Sequence, residues 1–153
     1  MLWVGKATLN DVCFTVPAST TTPELRDLGD ANLQQLEACR EKMSHKAYLR
    51  CRHIVSVNTR VIAAADAMRE GDARRMGDLM IAAHTSERDD FECSCEEIDF
   101  LVETAIALSG CVGARLTGGG FGGCTVNLVW RNQAEEFSNA LKTPYKERFG
   151  IAA

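Results

Sequence analysis

Five glycines surround one phenylalanine in Thr117-Gly118-Gly119-Gly120-Phe121-Gly122-Gly123-Cys124. Glycine reaches positive φ without strain and lets another group approach the backbone, and successive N–H groups in such a turn form a nest for an anion. A phosphate held close to Gly118, Gly119, Gly120, Phe121, Gly122 and Gly123 is one reading. A plain hairpin turn is the other, although two glycines suffice for that. Two better-known loops do not fit. No Gly-Lys-Ser/Thr ends the run, so the lysine of a P-loop is missing. Gly118, Gly120 and Gly123 do satisfy G-x-G-x-x-G, but a dinucleotide fold needs a helix to start at the third glycine. Here Cys124-Thr125-Val126-Asn127-Leu128-Val129-Trp130 is β-branched and aliphatic.

Other reactive side chains carry weaker signals. The cysteines number 7, an odd count, and Met1-Leu2-Trp3-Val4-Gly5-Lys6 lacks the form of a secretory signal. Reduced thiols in the cytoplasm are therefore expected. Cys93 and Cys95, taken with His45, His53 and His84, do not make zinc-ligand spacing, so no metal site is expected. Cys124 lies beside the glycines but has no adjacent base, and a packing role is expected for it. His84 reads as a hydrogen-bonded structural residue rather than a proton carrier. Arg88, Asp89 and Asp90 read as a charge network or cap. Arg52 and His53 face away from the apolar stripe of their helix and are expected at the surface.

The elements that must position the glycine run follow from periodicity. Residues 1–22 read as an irregular segment and connector, ending in Pro17-Ala18-Ser19-Thr20-Thr21-Thr22, and residues 23–153 as one domain. Leu25, Leu28, Leu33, Leu36 and Met43 fall loosely at helical spacing, with a break at Gly29-Asp30. Cys51, Ile54, Val55, Val61, Ile62, Ala65 and Met68 mark a long helix over 46–70 that Gly71-Asp72 ends. Met76, Leu79, Met80 and Ala83 form the next stripe. Ser94 with Glu97 reads as a capping box for a helix through Ile98, Leu101, Val102, Ala105 and Leu108 that stops at Gly110. The period then drops to about 2 at Val112, Ala114 and Leu116, so two strands flank the glycines. Asn132 and Glu135 repeat the cap signal for a helix through Phe137 and Leu141, which Thr143-Pro144 is expected to restart.

The 153 residues, with Lys+Arg 17 against Asp+Glu 21 and a net charge of −4, describe an ordinary globular domain of mildly acidic character. An electrostatic nucleic-acid binder would be basic, and no run is long and apolar enough for a membrane span. The fold expected is α+β, with helices packed on one face of a small antiparallel sheet that carries the Val112 and Thr125 strands.

The glycine run Thr117–Val126 resembles, almost letter for letter, the third motif of the galactokinases in the GHMP kinase superfamily. His84-Thr85-Ser86-Glu87-Arg88-Asp89-Asp90-Phe91-Glu92-Cys93-Ser94-Cys95 resembles the segment before that family's capped helix, and Arg50-Cys51-Arg52-His53-Ile54-Val55 an Arg-x-Arg-His segment upstream. Three motifs in order make the likeness specific to the C-terminal part of such an enzyme. The resemblance implies ATP-dependent phosphorylation of galactose at its C1 hydroxyl, with Mg2+, and places the glycine loop close to phosphate and sugar between two domains. It also implies that the sugar signature, the Ser-rich ATP loop and the catalytic Asp and Arg belong to an N-terminal domain that no segment here resembles. No catalytic residue is therefore assigned in this chain, which is expected to be truncated at both ends relative to the full enzyme and inactive in isolation. Leu9-Asn10-Asp11-Val12 departs from the family's Leu-Arg-Asp/Glu-Val. A non-catalytic sugar- or nucleotide-binding regulator, a pseudoenzyme of the same lineage and an N-acetylgalactosamine kinase are the alternatives, Phe121 favouring galactokinase over the last.

Overall fold

A computed structural model describes residues 27–151. The connector expected over 1–22, the departure at Asn10 and the last two residues lie outside that range. The chain separates into two compact units, one reaching to Thr59 and the other starting at Arg60.

The first unit contains a 3-10 turn, Leu28–Asp30, then helix α1, Leu33–Ala38, a second 3-10 turn, Arg40–Lys42, and the first half of helix α2, His45–Glu70. Short helices need their ends satisfied. Asn32 and Gln35 do this for α1 reciprocally, each side chain accepting from the other's backbone N–H at 2.9 and 3.0 Å. Leu28, Leu36, Tyr48, Cys51 and Val55 form the core of this unit. The Tyr48 hydroxyl donates to Glu37 at 2.7 Å, and the Asn58 amide donates to the Gly29 carbonyl at 2.9 Å. His53, expected at the surface, is buried. Burial at Cys51, His53 and Val55 together means that this stretch of α2 is covered on more than one side, so the apolar stripe understates the buried arc.

The second unit holds the rest of α2 followed by α3 (Ala73–Asp89), α4 (Glu96–Ala107), β1 (Cys111–Thr117), β2 (Cys124–Val129) and α5 (Ala134–Phe149). This is the α+β arrangement, with helices on a two-stranded antiparallel sheet. Among the described residues no helix is long and apolar enough to cross a membrane. Ile98, Val102 and Ala105 of α4, Ala114 and Leu116 of β1, and Phe137 and Leu141 of α5 make one core with Cys93. Gly71, at φ 69°, closes α2, and Asp72 caps α3 by accepting from the Arg75 N–H at 3.0 Å.

Two expected caps are not made. Cys95, not Ser94, stands at the N-cap of α4 and offers no side-chain bond, because the Ser94 hydroxyl turns instead to the Asp99 carboxylate. Asn132 falls inside a 3-10 turn, Arg131–Gln133, that precedes α5. Nor does Pro144 restart the helix: α5 runs through it without a break. Proline removes the bond to the carbonyl four residues earlier. The buried stripe Phe137, Leu141 and Tyr145 spans the proline, and Tyr145 and Phe149 pack with the ring of Phe100, so tertiary packing holds the helix together.

Helix α3 approaches β1 without side chains between them. A Cβ on Gly77 would lie 1.9 Å from the Val112 carbonyl oxygen, and one on Gly113 would lie 2.4 Å from the Gly77 Cα. A mid-helix glycine costs about 1 kcal/mol against alanine. Here it allows helix and strand backbones to touch.

Candidate functional site

The sheet register runs Leu116↔Thr125 and Thr117↔Cys124, so residues 118–123 form the connection between β1 and β2. Its backbone is the most unusual in the described chain. Gly118, Gly120, Gly122 and Gly123 stand at φ 103°, 79°, 124° and 97°, and Phe121 between them at 58°. Three of these values lie far from the small left-handed basin that other residues can enter. The glycines are thus a conformational requirement of this turn, which a two-residue hairpin would not have been.

The loop is pinned. The Phe121 N–H donates to the Cys93 carbonyl at 2.7 Å, and a Cβ on Gly120 would come within 2.4 Å of that same oxygen. Cys93 is itself held, since its N–H donates to the Glu87 carbonyl at 3.0 Å and its thiol to the same oxygen at 3.5 Å. The end of α3 therefore fixes Cys93, and Cys93 fixes the tip of the hairpin. The Phe121 ring, by contrast, is 68% exposed and joins no core cluster.

A polar network holds the base of the same hairpin. The Leu116 N–H donates to His84 Nδ1 at 3.3 Å, and His84 Nε2 lies 3.3 Å from Asp99 Oδ1 without hydrogen-bond alignment. Burial pushes the imidazole pKa down, against the pull of the Asp99 charge. An Nδ1 that accepts from a backbone amide assigns the proton to Nε2. His84 is thus a neutral strut between α3, α4 and β1, as its structural reading required. Next to it, the Arg115 guanidinium pairs with Glu87 and its Nε donates to the Leu116 carbonyl at 2.9 Å. Burial raises the Glu87 carboxyl pKa even though Arg115 and Arg60 pull it down. Arg60 of α2 presents Nε and Nη2 to this cluster, both buried and without a hydrogen-bond partner, and burial lowers its pKa.

The remaining candidates separate from the loop. Arg88 pairs with Asp89 at 2.7 Å and with Glu103 at 3.4 Å, while Asp90 accepts from the Ser86 hydroxyl at 3.1 Å, which is the network and cap the sequence suggested. Cys124, expected to pack, is exposed: it opens β2 where the strand leaves the loop, and no element covers it. Cys93 and Cys95 are free thiols, and among the described residues no cluster of three His, Cys, Asp or Glu could hold a metal ion. Sequence reasoning missed the Gly77–Gly113 contact and the Arg115–Glu87 pair. A glycine inside an otherwise helical stripe was the available signal for the first; the second joins residues distant in sequence and left none.

The class of protein is now defined by fold and loop together. Residues 64–147, more than half of the chain, match the family model "GHMP kinases C terminal", and the chain belongs to that family. Within it, the chain is similar to galactokinases. The Roseiflexus sp. (strain RS-1) galactokinase is 44% identical over 131 residues, covering 86% of this chain and 34% of that protein, and the Homo sapiens galactokinase is 45% identical over 118 residues, covering 77% and 30%. Among solved structures, Lactococcus lactis galactokinase complexed with galactose superposes with a TM-score of 0.80 at 34% identity over 85% of this chain and 34% of that one. L. major mevalonate kinase in complex with R-mevalonate superposes with a TM-score of 0.57 at 25% identity, covering 73% and 33%. The chain spans about a third of the length of the relatives it matches.

Proposed function

We propose that residues 23–153 form the C-terminal domain of a galactokinase, which transfers the terminal phosphoryl group of ATP to the C1 hydroxyl of galactose. The observation that carries this reading is the glycine hairpin: a loop whose backbone geometry demands glycine, pinned at one carbonyl, on a fold shared with a galactose-bound galactokinase. Phosphoryl transfer asks a protein chiefly for positioning and charge stabilisation. In this reading Gly118, Gly119, Gly120, Phe121, Gly122 and Gly123 face the transferring phosphate with backbone N–H donors. The His84 and Arg115 networks keep the hairpin at a set angle to α3 and α4. ATP, with Mg2+ to neutralise its phosphates, supplies the group transferred. The sugar and most of the nucleotide are held by the N-terminal domain found in the relatives. Cytoplasmic residence is part of the reading, and the six described cysteines, all free thiols, support it.

The test is a chimera in which this chain's residues replace the matching segment of the Roseiflexus galactokinase. ATP-dependent formation of galactose 1-phosphate by the chimera, and none by the 153-residue chain on its own, is the expected pair of results. A chimera that folds but phosphorylates no hexose refutes the reading; turnover by the 153 residues alone refutes the division of labour.

A further inference from the structure

We propose that Gly119 is where the terminal phosphoryl group meets this chain, an assignment that rests on the kinase reading above. The loop residues can be sorted by what forbids, or permits, a side chain at each. Gly118, Gly122 and Gly123 occupy φ values that L residues rarely adopt, so the fold itself demands glycine there. Gly120 is demanded twice, by φ 79° and by the Cys93 carbonyl 2.4 Å from where its Cβ would stand. Phe121 tolerates its left-handed conformation and commits its N–H to Cys93.

Gly119 meets neither demand. Its φ is outside the left-handed region and nothing lies within 4 Å of a Cβ built on it. Conformation and packing would both accept alanine. The residue is exposed, and among the described residues no protein acceptor takes its N–H. A side chain absent without internal cause, between two fixed glycines, leaves room for a group from outside. An uncommitted N–H sets the chemistry of that group as an anionic oxygen, and in a kinase the anion to be transferred is a phosphoryl group. The neighbouring helix end does not compete for it, because the first turn of α4 carries Glu96, Glu97 and Asp99.

The experiment compares Gly119→Ala with Gly120→Ala. In the 153-residue chain, thermal unfolding is expected to leave Gly119→Ala within about 2 °C of the parent while Gly120→Ala falls by about 5 °C or more, since only the second carries strain and overlap. In the Roseiflexus chimera, Gly119→Ala is expected to lose about 100-fold in kcat/KM for ATP, the effect of moving a reacting group by the width of a methyl. If Gly119→Ala unfolds as early as Gly120→Ala, the fold needs that glycine and the assignment is overturned. An active chimera in which Gly119→Ala turns over normally also overturns it and leaves the kinase reading standing. A folded, inert parent chimera overturns the kinase reading and the assignment with it.

Discussion

Replacing Gly77 by alanine sets two effects of opposite sign against each other. Gly77 is a buried residue in the interior of α3, where alanine is worth about 1 kcal/mol more than glycine in helix propensity. On propensity alone the substitution stabilises. The added Cβ, however, would stand 1.9 Å from the Val112 carbonyl oxygen and 2.6 Å from its carbon, where ordinary contact begins at 3.4 Å. Relief requires helix and strand to separate by about 3.4 − 1.9 = 1.5 Å, and both colliding groups are backbone, which cannot rotate away. Overpacking of that kind costs about 1 to 3 kcal/mol. The same displacement stretches the Leu116–His84 bond, already 3.3 Å long, out of range and strains the Arg115–Glu87 pair, each worth about 1 kcal/mol. Loss exceeds gain by about 2 to 4 kcal/mol, so for a chain of 153 residues the melting temperature should fall by about 5 to 15 °C. Circular dichroism melts of the two proteins measure this directly. Gly113→Ala, whose Cβ meets Gly77 from the other side, should cost a similar amount, and the double variant less than the sum, because the first methyl already opens the gap. A Gly77→Ala protein that melts at or above the parent temperature would refute the claim that bare backbone contact sets the position of α3 on β1.

Two further outcomes follow from the same region. Since burial depresses the folded-state pKa of His84, the unfolded chain takes up a proton that the folded one refuses; the stability involved is present above the unfolded value of about 6.5 and is lost as pH falls below it. Nitrogen-15 spectra should show His84 as the neutral Nε2–H tautomer through pH 6, and an imidazole that protonates at or above pH 6.5 in the folded state would contradict the strut role. Iodoacetamide labelling followed by mass spectrometry should modify exposed Cys124 well before buried Cys51 and Cys93, the latter also having its thiol pKa raised by burial; equal rates would show that β2 is covered at its start.

How much of this could be read in advance depended on the range of the interaction. Helices α2 to α4, the two strands and the glycine turn follow from patterns a few residues long, so they were legible within a residue or two. Where a local pattern had a competitor it misled. Ser94 matches a capping box, but a carboxylate at Asp99 outbids the helix amide for its hydroxyl. Pro144 matches a helix break, but the stripe from Phe137 to Tyr145 anchors both sides of it. His53 lies off the apolar stripe of α2 and is buried nevertheless, because a stripe records which face is most apolar and not how far the covering extends.

The amino-acid sequence by itself determined the class of chemistry: a run of glycines between two strands is a local backbone property, and no fold could make that segment a rigid side-chain site. It also determined the family resemblance, which the match over residues 64–147 bears out. Only the tertiary structure decided which glycine does what. Gly120 is held by a carbonyl 27 residues upstream, Gly77 by one 35 residues downstream, and Gly119 by nothing in the chain. Contacts at such separations are made by folding, and the six-residue pattern that identifies the loop contains no record of them.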